Sequence, residues 1–229
     1  MNPEDFIMHI GLSTTPIEPT YTHGRLDGIG IYTKYLKDGL IERGHDVDCV
    51  SYPPRCLSSG HLSEGRPFNV SYPAGVAMSM LTSGLMRFNC QTQLFHATDY
   101  KILPMKCPVV ATLYDAIPLK PPDMANSKLR VIKNHILKSA AKYADHIIAI
   151  SQYSVEELVE YYKIDESKIS VIHCGVDKKW LEPVAGLSVE QTLTKYKLQQ
   201  GYLLSVGTLQ PRKNIDRILD AYSKLPVSV

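Results

Sequence analysis

Along this chain, short segments of strand length alternate with stretches in which apolar residues return at every third or fourth position. The strand candidates cover residues 6–12, 46–50, 94–96, 109–113, 146–150 and 169–172. Between the first two, Ile29, Tyr32, Leu36 and Leu40 fall on one helical face, and Arg43 and Gly44 supply a basic last turn and a stop. Further helices are expected over 77–88 and 126–144. Another opens at Ser154, where Glu157 three residues on completes a capping box, and runs through Tyr162. Residues 52–73 are rich in proline, glycine and serine and read as exposed loop, with one weak strand candidate at 68–71. Strands alternating with helices predict an α/β fold, a Rossmann-like parallel sheet with helices on both faces.

The pattern changes after Gly175. Residues 176–200 read as a linker with a short helix over 189–196, followed by a strand at 202–206, a loop at 207–213 and a helix over 214–225. This divides the chain into a domain over 1–175, a linker over 176–200, and the first strand and helix of a second Rossmann-like domain over 201–229. So short a piece cannot bury its own core, so the chain is expected to end inside that second domain.

Composition narrows the function classes. Of 229 residues, 44% are apolar and 21% charged, which excludes disorder, collagen-like repeats and a disulfide miniprotein. Lysine and arginine total 25 against 23 acidic residues, a net charge of +2, too little for a global nucleic-acid footprint, so no nucleic-acid partner is expected. The five cysteines, Cys49, Cys56, Cys90, Cys107 and Cys174, are scattered and form no C-x-x-C. That argues against zinc or a disulfide framework and for a reducing compartment, and no metal is expected. No apolar run approaches the roughly 20 residues that span a bilayer, and the start, Met1 to Asp5, is acidic where a signal peptide is basic. A cytoplasmic protein is expected.

Four places carry candidate chemistry. Asp27-Gly28-Ile29-Gly30 sits between the first strand and the first long helix, where glycines let a ligand approach and a helix start offers unpaired amides to an anion. The same glycines also fit a plain chain turn. A dinucleotide fingerprint needs a third glycine where Thr33 stands, so a nicotinamide oxidoreductase is excluded. Arg212 and Lys213, beside another helix start, suit a diphosphate and equally a solvated surface pair. Tyr114 and Asp115 follow the strand at 109–113, at the strand ends where ligands collect in open α/β sheets. His96 and Asp99 hold the same position after the preceding strand. Asp115 alternatively caps a turn, and His96 alternatively serves the core. Finally, the helix over 126–144 carries Lys128, Arg130, Lys133, Lys138 and Lys142, which suits anionic lipid headgroups or an ordinary solvated face.

Taken together, DGIGIYTKYLKDGLIERGHDV, VVATLYDAIPL, YADHIIAISQYSVEELVEYYKIDESKISVIHCGVD and YLLSVGTLQPRKNIDRILDAY cover about two-fifths of the chain. In this order they resemble the family-four retaining glycosyltransferases of GT-B architecture, in particular the mannosyltransferase-like members that build O-antigen and capsular sugars. The resemblance implies two Rossmann-like domains across a cleft, the first binding the acceptor and the second the nucleotide-sugar. It assigns Gly28, Gly30, Arg212 and Lys213 to the donor diphosphate, Tyr114 and Asp115 to the catalytic side as candidates, and His96 and Asp99 to the acceptor. Many relatives carry histidine where Tyr114 stands, and an acid where Gln152 stands. The family's paired glutamates belong beyond Val229, so the fragment is expected to be inactive alone. No cofactor is implied. The co-substrate is a nucleotide-sugar, GDP-mannose first and a UDP-sugar second, and the acceptor is a glycan or lipid-linked glycan of polysaccharide or O-antigen synthesis. The helix over 126–144 is the candidate peripheral membrane contact. The alternative function is a non-catalytic glycan-binding module that needs a separate donor domain.

Overall fold

The structure, a computed structural model, describes residues 6–53, 62–120, 127–207 and 209–225, without the side chains of residues 127–130, 132, 133, 187 and 212. Residues 1–5, Cys56, the start of the basic helix at Asn126, the side chains of Lys128, Arg130 and Lys133, and that of Arg212 therefore lie outside the described residues. The chain divides into two compact units, Met1–Gly175 and Val176–Val229.

The first unit is built on seven parallel strands in the order β3-β2-β1-β4-β5-β6-β7. They are β1 His9–Ser13, β2 Asp46–Ser51, β3 Arg66–Pro67, β4 Leu94–Ala97, β5 Val109–Leu113, β6 His146–Ala149 and β7 Ile169–Val171. Helices α1 Pro19–Thr22, α2 Gly28–Glu42, α3 Tyr72–Leu81, α4 Ser127–Ala141 and α5 Gln152–Glu157 lie between them, and α5 continues as a wide turn, Leu158–Tyr162. This is the Rossmann-like α/β sheet the alternating pattern predicts. Strands β4 and β5 lie in its middle. Phe95, Ala97, Val109, Ala111 and Leu113 are all buried, as is Thr112, because helices cover both faces of such a sheet. Each large apolar side chain sealed there contributes about 1.5–3 kcal/mol.

Local chemistry explains where the elements depart from expectation. Helix α3 runs over Tyr72–Leu81 rather than 77–88. Pro73 is favoured in a first helical turn, and Ser83 and Gly84 then adopt left-handed backbone, φ 51° and 78°, which ends the helix. Pro16 and Pro19 likewise open two short helical turns, Thr15–Ile17 and Pro19–Thr22, in what reads as loop. Strand β3 forms at Arg66–Pro67, ahead of the 68–71 candidate, and the Arg66 guanidinium forks onto Asp48 of β2 at 2.6–3.1 Å. The capping box at Ser154 is not present. Ser151 caps α5 by accepting from the Ser154 amide, while Glu157 turns to Lys120 and the Ala116 amide instead.

In the second unit, α6 covers Gly186–Tyr196 and α7 covers Ile215–Ser223, with a tight helical turn Pro211–Lys213 between them. Residues 202–206 form no ladder among the described residues, and Leu203, Leu204 and Val206 are exposed. A strand needs a neighbour to satisfy its backbone, and the described residues of this unit supply none. Among the described residues, no helix is long and apolar enough to cross a membrane.

Candidate active site

Strand order reverses between β1 and β4, because β1 leads outward to β2 on one side and β4 leads to β5 on the other. At such a point the loops leaving the two strands part in opposite directions and open a crevice at their carboxyl ends. A cavity of about 630 Å³ occupies this crevice. Thr15 and Pro16 enter it from the end of β1, Asp99, Tyr100 and Lys101 from the end of β4, and Pro118 from beyond β5. Tyr21, Arg25, Asp27 and Ile29 close it from the approach to α2, and Tyr72 from α3. Ile136 and Leu137 of α4 supply an apolar side. A smaller cavity of about 230 Å³ adjoins it, sharing Thr15, Tyr21, Tyr72 and Lys101. Rings beside a few convergent polar groups match the faces and hydroxyls of a sugar.

The polar groups are held in fixed positions. Asp99 is buried, accepts from the Lys101 amide at 2.9 Å and pairs with the Lys101 ammonium at 2.8 Å. Lys101 also lies 5.9 Å from the centroid of the Tyr21 ring. The Tyr21 hydroxyl donates to the Tyr52 carbonyl at 2.7 Å, and the buried Tyr72 hydroxyl has no partner among the described residues. Burial drives the phenols of Tyr21, Tyr72 and Tyr100 above their ordinary range. They therefore act as neutral donors and ring faces, not as bases.

Asp27, Gly28 and Gly30 stand at the amino terminus of α2. The Asp27 carboxylate caps it by accepting from the Gly30 amide at 2.9 Å. The amides of Gly28 and Ile29 precede the helical ladder, the usual place for an anion. The two glycines differ in purpose. A Cβ at Gly30 would lie 3.0 Å from the Pro16 carbonyl oxygen and 3.1 Å from a Leu26 methyl, a tight fit that favours glycine. A Cβ at Gly28 would meet nothing within 4 Å, which leaves that approach open.

Tyr114, Asp115 and His96 are placed as supports. The Tyr114 hydroxyl donates to the Thr98 carbonyl at 2.8 Å, and its ring meets Tyr32 and Tyr100 edge-on at 5.5 and 6.3 Å. Burial, reinforced by Tyr32 and Asp99, pushes its phenol far up. Asp115 Oδ1 accepts from the Ile117 amide and from the Tyr100 hydroxyl, both at 2.9 Å, a turn cap that also fixes a wall of the cavity. Its Oδ2 has no hydrogen-bond partner among the described residues. His96 is 6% exposed and does not line the cavity. Its Nε2 lies 2.8 Å from Thr112 Oγ1, which lies 2.9 Å from the Tyr32 hydroxyl. Burial lowers its pKa to about 4, so it is neutral at physiological pH. Of the sequence candidates with described side chains, Asp99 lines the cavity, as do Asp27 and Ile29 of the glycine motif, while Tyr114, Asp115, His96, Gly28 and Gly30 do not. The walls Tyr21, Arg25, Tyr72 and Lys101 carry no motif, although Lys101 lies two residues past Asp99 at the same strand end.

In the second unit, Lys213 closes the turn before α7 and its side chain is exposed, while the Arg212 side chain lies outside the described residues. Asn214 follows in left-handed backbone, φ 53°, at the start of α7.

Comparison with known proteins agrees with this architecture. The model of the family described as Glycosyltransferase Family 4 matches residues 26–180. The chain is 32% identical over 87 residues to the serotype-specific mannosyltransferase WbdA of Escherichia coli, covering 38% of this chain and 11% of WbdA. It is 36% identical over 84 residues to O-antigen chain mannosyltransferase B of Escherichia coli, covering 35% and 21%. With O-antigen chain mannosyltransferase RfbU of Salmonella typhimurium it shares 27% over 118 residues, covering 52% and 30%. The match thus spans less than a third of each of these relatives. Among solved structures, Anabaena HepE in complex with UDP and glucose superposes with a TM-score of 0.58 at 15% identity, over 96% of this chain and 58% of that one. The family model spans most of the first unit and the mouth of its sheet, and the chain belongs to glycosyltransferase family 4, with mannosyltransferases among its relatives and the Rossmann-like sheet of a GT-B fold.

Proposed function

We propose that this chain forms the acceptor-binding side of a retaining hexosyltransferase that moves mannose from GDP-mannose onto a glycan or lipid-linked glycan during O-antigen or polysaccharide synthesis. The observation that carries the proposal is the cavity at the reversal of strand order, where rings and the Asp99–Lys101 pair converge beside the open amides of α2. Sugar hydroxyls exchange hydrogen bonds with Asp99, Lys101 and Arg25, and the sugar's apolar face lies on Tyr21 or Tyr100. The amino terminus of α2 at Gly28 and Gly30 offers amides to a donor phosphate; in the second unit, Arg212 and Lys213 offer cations to a diphosphate. The relatives named as mannosyltransferases support mannose as the sugar, and GDP-mannose is put before a UDP-sugar as its donor in this reading. Asp115 and Tyr114 act by holding Tyr100 and the loop after β4 in place, and Asp115 Oδ2 remains open to an acceptor hydroxyl. The enzyme works in the cytoplasm, with α4 resting on the inner membrane face.

Transfer of radiolabelled mannose from GDP-mannose to a lipid-linked oligosaccharide, measured with a complete donor domain joined to this chain, tests this. Lys101→Met and Asp99→Asn should each raise the acceptor KM by about tenfold or more and leave the donor KM unchanged, whereas Lys213→Ala should raise the donor KM. The opposite division overturns the assignment. Glycan binding without any transfer or nucleotide-sugar binding favours the non-catalytic module. Flotation with vesicles that is insensitive to anionic lipid removes the membrane contact.

A further inference from the structure

Two cysteines that have no part in the proposed transfer chemistry meet on the opposite edge of the sheet. Cys90 precedes β4 and Cys107 precedes β5, so both lie at the amino ends of the central strands, away from the cavity. Their sulfurs are 2.8 Å apart. The surrounding segments are tied together independently of the cysteines. The Phe88 amide donates to the Pro104 carbonyl, and the Lys106 amide to the Phe88 carbonyl, both at 2.8 Å, forming an isolated parallel bridge between Phe88 and Met105. The Thr92 hydroxyl donates to Cys90 Sγ at 3.1 Å and lies 3.8 Å from Cys107 Sγ. Gly11 of β1 makes room for it, because a Cβ there would lie 2.9 Å from Thr92 Oγ1 and 2.8 Å from the Phe95 ring. Both thiols are free. Cys90 is 1% exposed, whereas Cys107 is half-buried and reachable.

We propose that Cys90 and Cys107 form a reversible redox site, in which a hydroperoxide converts the dithiol into a disulfide that clamps the entries of β4 and β5. Cys107 gives up its proton and its thiolate attacks the peroxide; the O–O bond breaks, the proton leaves with the departing oxygen as water or alcohol, and Cys107 becomes a sulfenic acid. The Cys90 sulfur then attacks the sulfenic sulfur, its thiol proton and the hydroxyl departing as a second water. The two thiols together lose two electrons, and the peroxide gains them. Burial and the adjacent Cys90 push the Cys107 thiol up to about 12, which keeps thiolate scarce at neutral pH, so closure by peroxide is slow and the pair rests as a dithiol. The cross-link closes a loop over a separation of 17 residues that contains the whole of β4. Such a closure restricts the unfolded chain enough to raise the melting temperature by about 5–10 °C.

The test treats the purified chain with hydrogen peroxide, blocks remaining thiols with an alkylating reagent and maps tryptic peptides without reduction. The expected product joins the peptides bearing Cys90 and Cys107, about 2 Da lighter than their sum. The melting temperature should rise with it and return on treatment with dithiothreitol. A variant with Cys49, Cys56 and Cys174 changed to serine should still close the link, and Cys107→Ser should abolish both link and shift. A pair that stays reduced, Cys107 carried on to sulfinic acid, either cysteine joined to Cys49, Cys56 or Cys174, or a link without a rise in melting temperature each overturns the proposal.

Discussion

Acidification from pH 7.5 to 5.0 should cost the first unit about 2 kcal/mol of stability through His96 alone. The sign follows from burial. His96 is 6% exposed, and burial depresses its pKa from the ordinary 6.5 to about 4 in the folded protein. The unfolded chain therefore binds a proton below pH 6.5 that the folded protein refuses until about pH 4. Each pH unit in that window costs about 1.4 kcal/mol, which integrates to about 2 kcal/mol at pH 5 and about 3.4 kcal/mol below pH 4. Above pH 6.5 both states are neutral and the effect vanishes. Urea unfolding followed by tyrosine near-ultraviolet circular dichroism is the suitable assay. It reports the contacts of Tyr32, Tyr100 and Tyr114 in the first unit, whereas the single tryptophan, Trp180, lies in the second. With a slope of about 2 kcal/mol per molar urea, the midpoint should fall by about 1 M more in the wild type than in His96→Gln between the two pH values. The glutamine variant starts less stable but lacks the proton. Parallel curves, or a wild type that gains stability on acidification, would refute the placement of His96 as a neutral strut.

Two further outcomes concern the supports of the cavity. Gly30→Ala should lower stability by about 1–2 kcal/mol, seen as a melting-temperature drop of about 3–6 °C, because the new methyl meets backbone at Pro16, while Gly28→Ala should lie within about 0.5 kcal/mol of wild type. The buried carboxylate of Glu18 accepts from Ser51 Oγ at 2.6 Å and from the amides of Ser63 and Glu64 at 2.9 and 3.1 Å. Glu18→Gln puts an amide NH2 against one of those donors and should cost about 1–3 kcal/mol in urea unfolding. Glu18→Ala strands all three and should cost more, and equal losses in the two variants would contradict the hydrogen-bond origin.

Much of the fold was legible because periodicity and turn chemistry are local. Six of the seven strands coincide with segments the pattern picks out. The two-residue β3 does not, since so short a segment shows no alternation and is held by its ladder to Val50 and Ser51 of β2, with Arg66 reaching Asp48 beside it. Ser154 and Glu157 have the spacing of a capping box, yet Lys120, 37 residues away, takes the glutamate. Spacing cannot register such a competitor. The site divides the same way. The start of α2 and the strand-end position of Asp99 follow from pattern, while the burial of His96 and the use of Tyr114 as a strut depend on what packs around them. Tyr21 and Tyr72 reach the cavity from a short helical turn and from α3, and only the tertiary fold brings them to Lys101.

The most direct test of the central claim is a backbone amide NMR titration of the chain with a mannose-containing oligosaccharide. The account predicts shifts clustered at residues 15–30, 72 and 98–118, around the mouth between β1 and β4. Shifts centred instead at the opposite sheet edge near Cys90 and Cys107, or no shifts at saturating glycan, would contradict it.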